Sequence, residues 1–296
     1  MPKDHAPIIP QAVFDLYDAY AHGEMDRRSF FASLSKYAVG GMTTAALAAC
    51  VMPDYSGAEA IVSSADPALD VERFTYASPK GGGEISGDLV IPAAASMPLG
   101  GVVVVHENRG LNPHIRDVAR RVAKAGYVAL APDALSPLGG YPGNDDDGRA
   151  LQRQRDRAEM VEDFIAAAEV LRDHPATTGK IACVGFCFGG AVSNLMAARL
   201  PWLAGAVPYY GGWPTAEDAA RVECPLQIHL AGLDTRVNAG WPDYEAALAA
   251  ADKSYSLHMY EGVNHGFHND TTSRYDPAAA ALAWSRTTDF FDRVLA

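Results

Sequence analysis

Short apolar runs that alternate with amphipathic segments, after an antiparallel start, predict an α/β protein: a three-layer sandwich on a mostly parallel sheet, with a helical N-terminal extension. Three observations carry this. Gly101 to His106 contains four consecutive valines, the unbroken apolarity of a strand covered on both faces. Ile181-Ala182-Cys183-Val184 is a similar run, and it leads through a glycine-rich turn into Gly190 to Leu200, whose alanines and leucines suit a helix. Further apolar runs at 127–131, 205–209, 226–231 and 255–260 recur with helical stretches between them.

In chain order, Gln11 to Ala21 sets Val13, Leu16, Tyr17 and Tyr20 at helical spacing. Asp26-Arg27-Arg28-Ser29-Phe30-Phe31 follows, then a weakly apolar, uncharged stretch from Tyr37 to Met52, then Ala58-Glu59-Ala60. Paired arginines, a modest apolar segment and small residues resemble a twin-arginine export signal. Leu47-Ala48-Ala49-Cys50 is similar to a lipoprotein attachment box. The other reading is a retained helical hairpin, with Arg27 to Tyr37 as its second helix packed on the rest. Residues 1–66 are therefore expected to be a helical extension or an export signal. The location is periplasmic through Arg27 and Arg28, or cytoplasmic with the extension kept. The apolar segment, about 16 residues with glycines and threonines, is too short and polar to span a membrane.

Residues 67–296 form the second expected domain. Val71 to Tyr76 alternates as a strand, Gly81-Gly82-Gly83 turns the chain, and Ile85 to Ile91 is a strand ending at Pro92. Ile115 to Ala125 is helical, with Val118 and Val122 on one face, and stops at Gly126. Residues 135–150, rich in Gly, Pro and Asp, are expected as loop, followed by one long helix from Leu151 to Arg172. Helices are also expected over Tyr244 to Ala251 and Pro277 to Leu295. No inserted segment has the length of a lid domain, so an open site is expected. The net charge of −12 argues against nucleic acid and anionic membranes as partners. Cys50, Cys183, Cys187 and Cys224 form no C-x-x-C pair, and resemble neither a disulfide framework nor a zinc site.

The chemistry centres on Gly185-Phe186-Cys187-Phe188-Gly189-Gly190. Strand, G-x-C-x-G and helix make a nucleophile elbow with cysteine at its tip, and Cβ atoms at Gly185 and Gly189 would collide with neighbouring backbone. The alternative is a crowded turn around an inert buried thiol. In such sheets chemistry gathers at the carboxyl ends of strands. There lie Gly232-Leu233-Asp234, after run 226–231, and Asn264-His265-Gly266-Phe267, after run 255–260. The order Cys187, Asp234, His265 is nucleophile, acid, base. Imidazole takes the thiol proton, and the carboxylate fixes its tautomer and stabilises its cation. Asp234 alternatively caps the next segment, with Asp243 as competitor. His229 and His258 lie within strands as core residues, and His268 is less well placed than His265. The valine strand ends at His106-Glu107-Asn108-Arg109-Gly110. The amides of Asn108 and Phe188 are assigned to an oxyanion hole. Glu107 is assigned to modulating the nucleophile, the alternative being a plain ion pair with Arg109.

These four motifs, in this order over roughly residues 70–296, resemble the dienelactone hydrolases (carboxymethylenebutenolidases), a family of α/β-hydrolases. The resemblance implies a Cys–His–Asp triad, a glutamate near the nucleophile, no cofactor, no metal, and hydrolysis of a small ester or enol-lactone through an acyl-enzyme. Best-known members carry an arginine shortly after the catalytic histidine, and here His268-Asn269-Asp270 stands instead. Arg109, Arg149, Arg153 and Arg274 are the arginines left to bind a substrate anion. Competing readings are a thioesterase or peptidase on the same framework, a non-catalytic binding protein, and a redox-sensing thiol. Apolar faces on the N-terminal helices leave a homodimer open.

Overall fold

The computed structural model describes residues 9–38, 42–55 and 60–296. Among the described residues, three short helices come first: α1 (Gln11–Ala21), α2 (Arg27–Leu34) and α3 (Thr44–Val51). Asp26 caps α2 by accepting from the Ser29 N–H, and Thr43 caps α3 in the same way through Ala46. Val13, Tyr17, Phe30, Leu34, Leu47 and Val51 close a small core of their own. The Arg27-Arg28 pair lies in the first turn of α2, where Arg27 pairs with Asp146. Leu47 and Ala48 of the lipoprotein-like tetrapeptide are buried in α3, and Ala58 and Glu59 lie outside the described residues.

The remainder is one sheet with helices on both faces. The strands are β1 (Leu69–Ser78), β2 (Gly83–Pro92), β3 (Leu99–Val105), β4 (Val128–Asp133), β5 (Thr177–Phe186), β6 (Gly205–Tyr209), β7 (Leu226–Ala231) and β8 (Tyr255–Tyr260). They are ordered β1-β2-β4-β3-β5-β6-β7-β8. β1 pairs with β2 and β2 with β4 in antiparallel fashion, and every other pairing is parallel. The helices are α4 (Pro113–Lys124), α5 (Asp145–Gln152), α6 (Arg157–Arg172), α7 (Phe188–Arg199), α8 (Ala216–Arg221), α9 (Thr235–Asn238), α10 (Trp241–Ala250) and α11 (Pro277–Leu295). The valines of β3 serve both faces. Val103 and Val105 join the core under α6, α7 and α10, while Val102 and Val104 join that under α4 and α11.

One expectation fails in the connection after β4. The long helix is two helices, and the first begins inside the expected loop. Asn144 caps α5 through the Asp147 N–H, and Asp145, Asp146 and Asp147 place negative charge at its N-terminal turn. Asp156 then caps a fresh start, accepting from the N–H groups of Ala158 and Glu159, and breaks the run before α6.

Parallel pairing brings the functional loops together. Ala231 of β7 faces Tyr260 of β8, so the segments that follow run side by side, and the Leu233 N–H donates to the Val263 carbonyl at 3.0 Å. β5 sits between β3 and β6, so its end faces the loop after β3.

Candidate active site

Cys187 occupies the turn between β5 and α7 with φ 57° and ψ −112°, a conformation that L-residues adopt only under constraint. Its N–H donates to the Tyr209 carbonyl at 3.0 Å. A Cβ at Gly185 would stand 2.0 Å from the Gly189 carbonyl oxygen, and one at Gly189 2.3 Å from the Val105 carbonyl oxygen. Both glycines are therefore required by the close backbone approach, as the motif predicts.

His265 and Asp234 meet beside it. The Nδ1 of His265 lies 2.6 Å from Asp234 Oδ2, while Oδ1 accepts from the Val237 N–H at 3.1 Å. Asp234 thus caps α9 and holds the imidazole at once. Its carboxyl is held low: burial opposes this, and His265, the Val237 N–H and Arg236 together outweigh burial. The carboxylate accepts, so Nδ1 carries the hydrogen and Nε2 is left free. That Nε2 is buried and has no hydrogen-bond partner among the described residues.

A third side chain enters from outside the elbow framework. His22, immediately after α1, brings its Nε2 to 3.3 Å from the Cys187 sulfur. The sulfur and one ring nitrogen from each of His22 and His265 lie within 4.8 Å of one another. The two rings meet edge-on, with centroids 5.0 Å apart. A thiol and two imidazoles are also the donor types of a soft metal ion. Nothing in the motif order of an elbow enzyme points to His22. Its only trace in the sequence is a histidine at the end of an amphipathic helix.

Electrostatics favour an ionised sulfur. Burial would raise the Cys187 thiol, but the charges of His22 and His265 outweigh it and bring the pKa down to about 5. His265 moves the other way. Burial alone would lower it, and Asp18, Asp234 and the sulfur together raise it to about 10. Burial pushes the Cys183 thiol far up, as expected of a core cysteine.

In the loop after β3, Glu107 forms the ion pair with Arg109 that the sequence offers as the alternative. No hydrogen bond joins Glu107 to Cys187 among the described residues. Its carboxylate is enclosed by Arg109 at 3.0 Å, Asn269 at 3.1 Å and Asn112 at 3.4 Å. The plain pairing with Arg109 is what forms. Burial would raise the Glu107 carboxyl, but Arg109 and further positive groups hold it at about 2. Asn269 thus stands where the resemblance leads one to look for an arginine. Arg109 itself is buried, paired with Glu107 at 3.0 Å and with Asp145 at 2.7 Å. It is not available to a substrate in this arrangement.

The main-chain N–H groups of Asn108 and Phe188 donate to no acceptor among the described residues. The Asn108 side chain donates to the Ala21 carbonyl at 2.6 Å, tying this loop to the end of α1. The competing residues lie elsewhere. His268 stacks on Phe186 at 5.0 Å, His229 is bonded to the Tyr260 hydroxyl at 2.8 Å, and Asp243 is exposed on α10.

Cys187 opens into a cavity of about 230 Å³ lined also by His22, Asn108, Phe188, Arg157 and Arg236. A second cavity of about 270 Å³ shares His22, Asn108, Phe188 and Arg157, and adds Arg149, Arg153 and Arg155. Arg149 is buried, paired with Asp146 and packed over the Tyr20 ring at 5.1 Å. Arg153 and Arg157 are exposed and form no ion pair among the described residues. Arg274 is directed to Asp18 at 3.3 Å.

Comparison with known proteins supplies the rest. Residues 85–295 match the family model described as the dienelactone hydrolase family, and residues 1–40 match one described as YqhI-like. The fragment YghX of Escherichia coli is 60% identical over 115 residues, covering 39% of this chain and 97% of that one. The carboxymethylenebutenolidase of Pseudomonas putida is 32% identical over 211 residues, 67% of this chain and 87% of that enzyme. Among solved structures, the dienelactone hydrolase-like promiscuous phosphotriesterase P91, from metagenomic libraries, superposes with a TM-score of 0.68 at 25% identity. The match covers 77% of this chain and all of that one. The sheet order, the cysteine elbow and the match from β2 to α11 agree: the chain is an ester-hydrolysing enzyme and belongs to the dienelactone hydrolase family.

Proposed function

We propose that the protein hydrolyses a small ester or lactone through covalent catalysis, with Cys187 as nucleophile, His265 and Asp234 completing a triad, and the amides of Asn108 and Phe188 receiving the oxyanion. The observation that carries this reading is the sulfur itself, held at the elbow tip with imidazole nitrogens within 4.8 Å. The thiolate attacks the carbonyl carbon, and charge passes to the carbonyl oxygen, where the two unbonded amides receive it. Collapse breaks the C–O bond, the leaving oxygen takes a proton, and a thioester to Cys187 remains. Water then cleaves the thioester and regenerates the thiolate. This chemistry agrees with the activity named for the Pseudomonas putida relative.

The cavity chemistry indicates the substrate class. Arg157, which lines the cavity of the sulfur, and Arg153, which lines the adjoining one, form no ion pair among the described residues in a chain of net charge −12, so an ester or lactone bearing an anionic group is the fitting ligand.

The test is turnover of matched neutral and carboxylate-bearing aryl esters by the wild-type protein, with Cys187→Ala as blank. Loss of at least about 1000-fold in the variant is expected, since the covalent route is removed, together with a higher kcat/KM for the anionic ester in the wild type. A Cys187→Ala protein that retains its turnover contradicts the nucleophile. Equal kcat/KM for both esters contradicts the anionic preference.

A further inference from the structure

We propose that His22, delivered by helix α1, is a second catalytic histidine that takes the Cys187 proton and holds the resulting thiolate, so that the N-terminal extension completes the active site. The proposal rests on the reading of Cys187 as nucleophile.

Hydrogen-bond roles fix the tautomer. His22 Nδ1 lies 2.8 Å from the Asp18 main-chain carbonyl, which can only accept, so Nδ1 carries the hydrogen. Nη2 of Arg236 lies 3.0 Å from His22 Nε2 and can only donate, so that nitrogen presents its lone pair. The same nitrogen is 3.3 Å from the sulfur, so its one lone pair is shared between the Arg236 N–H and the thiol, and it takes the thiol proton in full as the Arg236 contact gives way. His265 is oriented in the same manner, Nδ1 to an acceptor and Nε2 free. Two imidazoles therefore face one sulfur.

They differ in what surrounds them. Asp234 bonds His265 directly, and that ring is favoured as the cation. A histidine held protonated donates a proton to a leaving group but does not take one from a thiol. His22 is placed for the complementary step. Its ring sits at the C-terminal end of α1. The Asp18 carboxylate is 3.4 Å from its Nδ1 and is itself held by Arg236 at 3.2 Å and Arg274 at 3.3 Å. The groups facing His22 are thus Asp18, Arg236, Cys187 and His265, with Arg157 across the cavity.

The protons balance through one cycle. The S–H bond breaks and an N–H bond forms at His22 Nε2 once, before turnover, leaving thiolate beside imidazolium as the resting state to which each cycle returns. After attack, the scissile C–O bond breaks and the leaving oxygen takes the proton of His265. Neutral His265 then accepts a proton from water, whose oxygen adds to the thioester. The C–S bond breaks, expelling thiolate back to the His22 imidazolium, and the carboxylic acid product ionises to solvent.

The experiment uses the full chain, as wild type, His22→Ala and His22→Gln. It follows the pH dependence of iodoacetamide alkylation at Cys187 and kcat/KM on an aryl ester. Both variants are expected to lose at least about 100-fold in kcat/KM, and their alkylation midpoint to move up toward the free-thiol value of about 8.5. Added imidazole should restore part of the activity of His22→Ala, which a purely structural role would not allow. His22→Gln keeps a hydrogen-bonding amide at this position without a proton to exchange, so a circular dichroism spectrum matching the wild type makes that variant decisive if His22→Ala misfolds. Alkylation midpoints and turnover within twofold of wild type in His22→Gln overturn the proposal. Wild-type protein that keeps its turnover when fully alkylated at Cys187 contradicts the nucleophile instead, and so separates the two failures.

Discussion

Cys187 and its neighbours form a charge system whose pH behaviour follows from the direction of each shift. The thiol is depressed, so thiolate is present above about pH 5 and is lost as pH falls through that value. The His265 imidazolium is raised, so the acid that protonates the leaving group persists until pH rises through about 10. The kcat/KM profile of the wild type is therefore expected to be flat from about pH 6 to 9, with its acid limb near 5. An ordinary thiol would instead give activity that climbs through about pH 8.5, and a measured profile of that form would contradict the charge assignment. Glu107 belongs to this scale as well. It stays ionised because Arg109, Asn112 and Asn269 enclose it, and so it braces the loop that carries Asn108 rather than touching the sulfur.

At the scale of elements, the turn between β5 and α7 is where backbone geometry and chemistry coincide. The required Gly189 packs against a carbonyl of β3, a neighbour with no freedom to withdraw. Gly189→Ala is expected to destabilise the fold by about 3 kcal/mol, a melting shift of several degrees for a chain of this size, with loss of activity from the displaced sulfur. A variant with wild-type melting temperature and turnover would show that the approach is looser than described. This part of the molecule was legible in the sequence because glycine spacing, strand endings and motif order each reflect local constraints. The split between α5 and α6 was legible in principle. Asn144 and Asp156 are cap residues, but a continuous helical pattern from Leu151 masked the second cap, and the run of aspartates resembled loop.

For the whole molecule, the informative fact is that a separate small core, formed by α1, α2 and α3, places a side chain against the sulfur. No local pattern announces such a contact. His22, Asp18 and Arg236 come together only once α1 docks on the loops after β3 and β7, tied by Asn108 to Ala21 and by Arg236 to Asp18. The sheet domain and its Cys187, Asp234, His265 order were readable because a parallel sheet obliges functional loops to share one edge. The fate of Arg109 was not, since an arginine in a strand-end loop has no sequence mark that separates substrate contact from burial with Glu107 and Asp145. The charge distribution is a molecular-scale property too: an acidic protein that gathers unpaired arginines at one cavity concentrates positive potential where an anionic substrate would enter. Covalent catalysis at Cys187 is tested by mass spectrometry of the protein quenched during turnover of an aryl ester, followed by peptide mapping. An acyl group is expected on the peptide that carries Cys187, absent from Cys187→Ala. Turnover with that peptide unmodified, or with the acyl group on a different side chain, would contradict it.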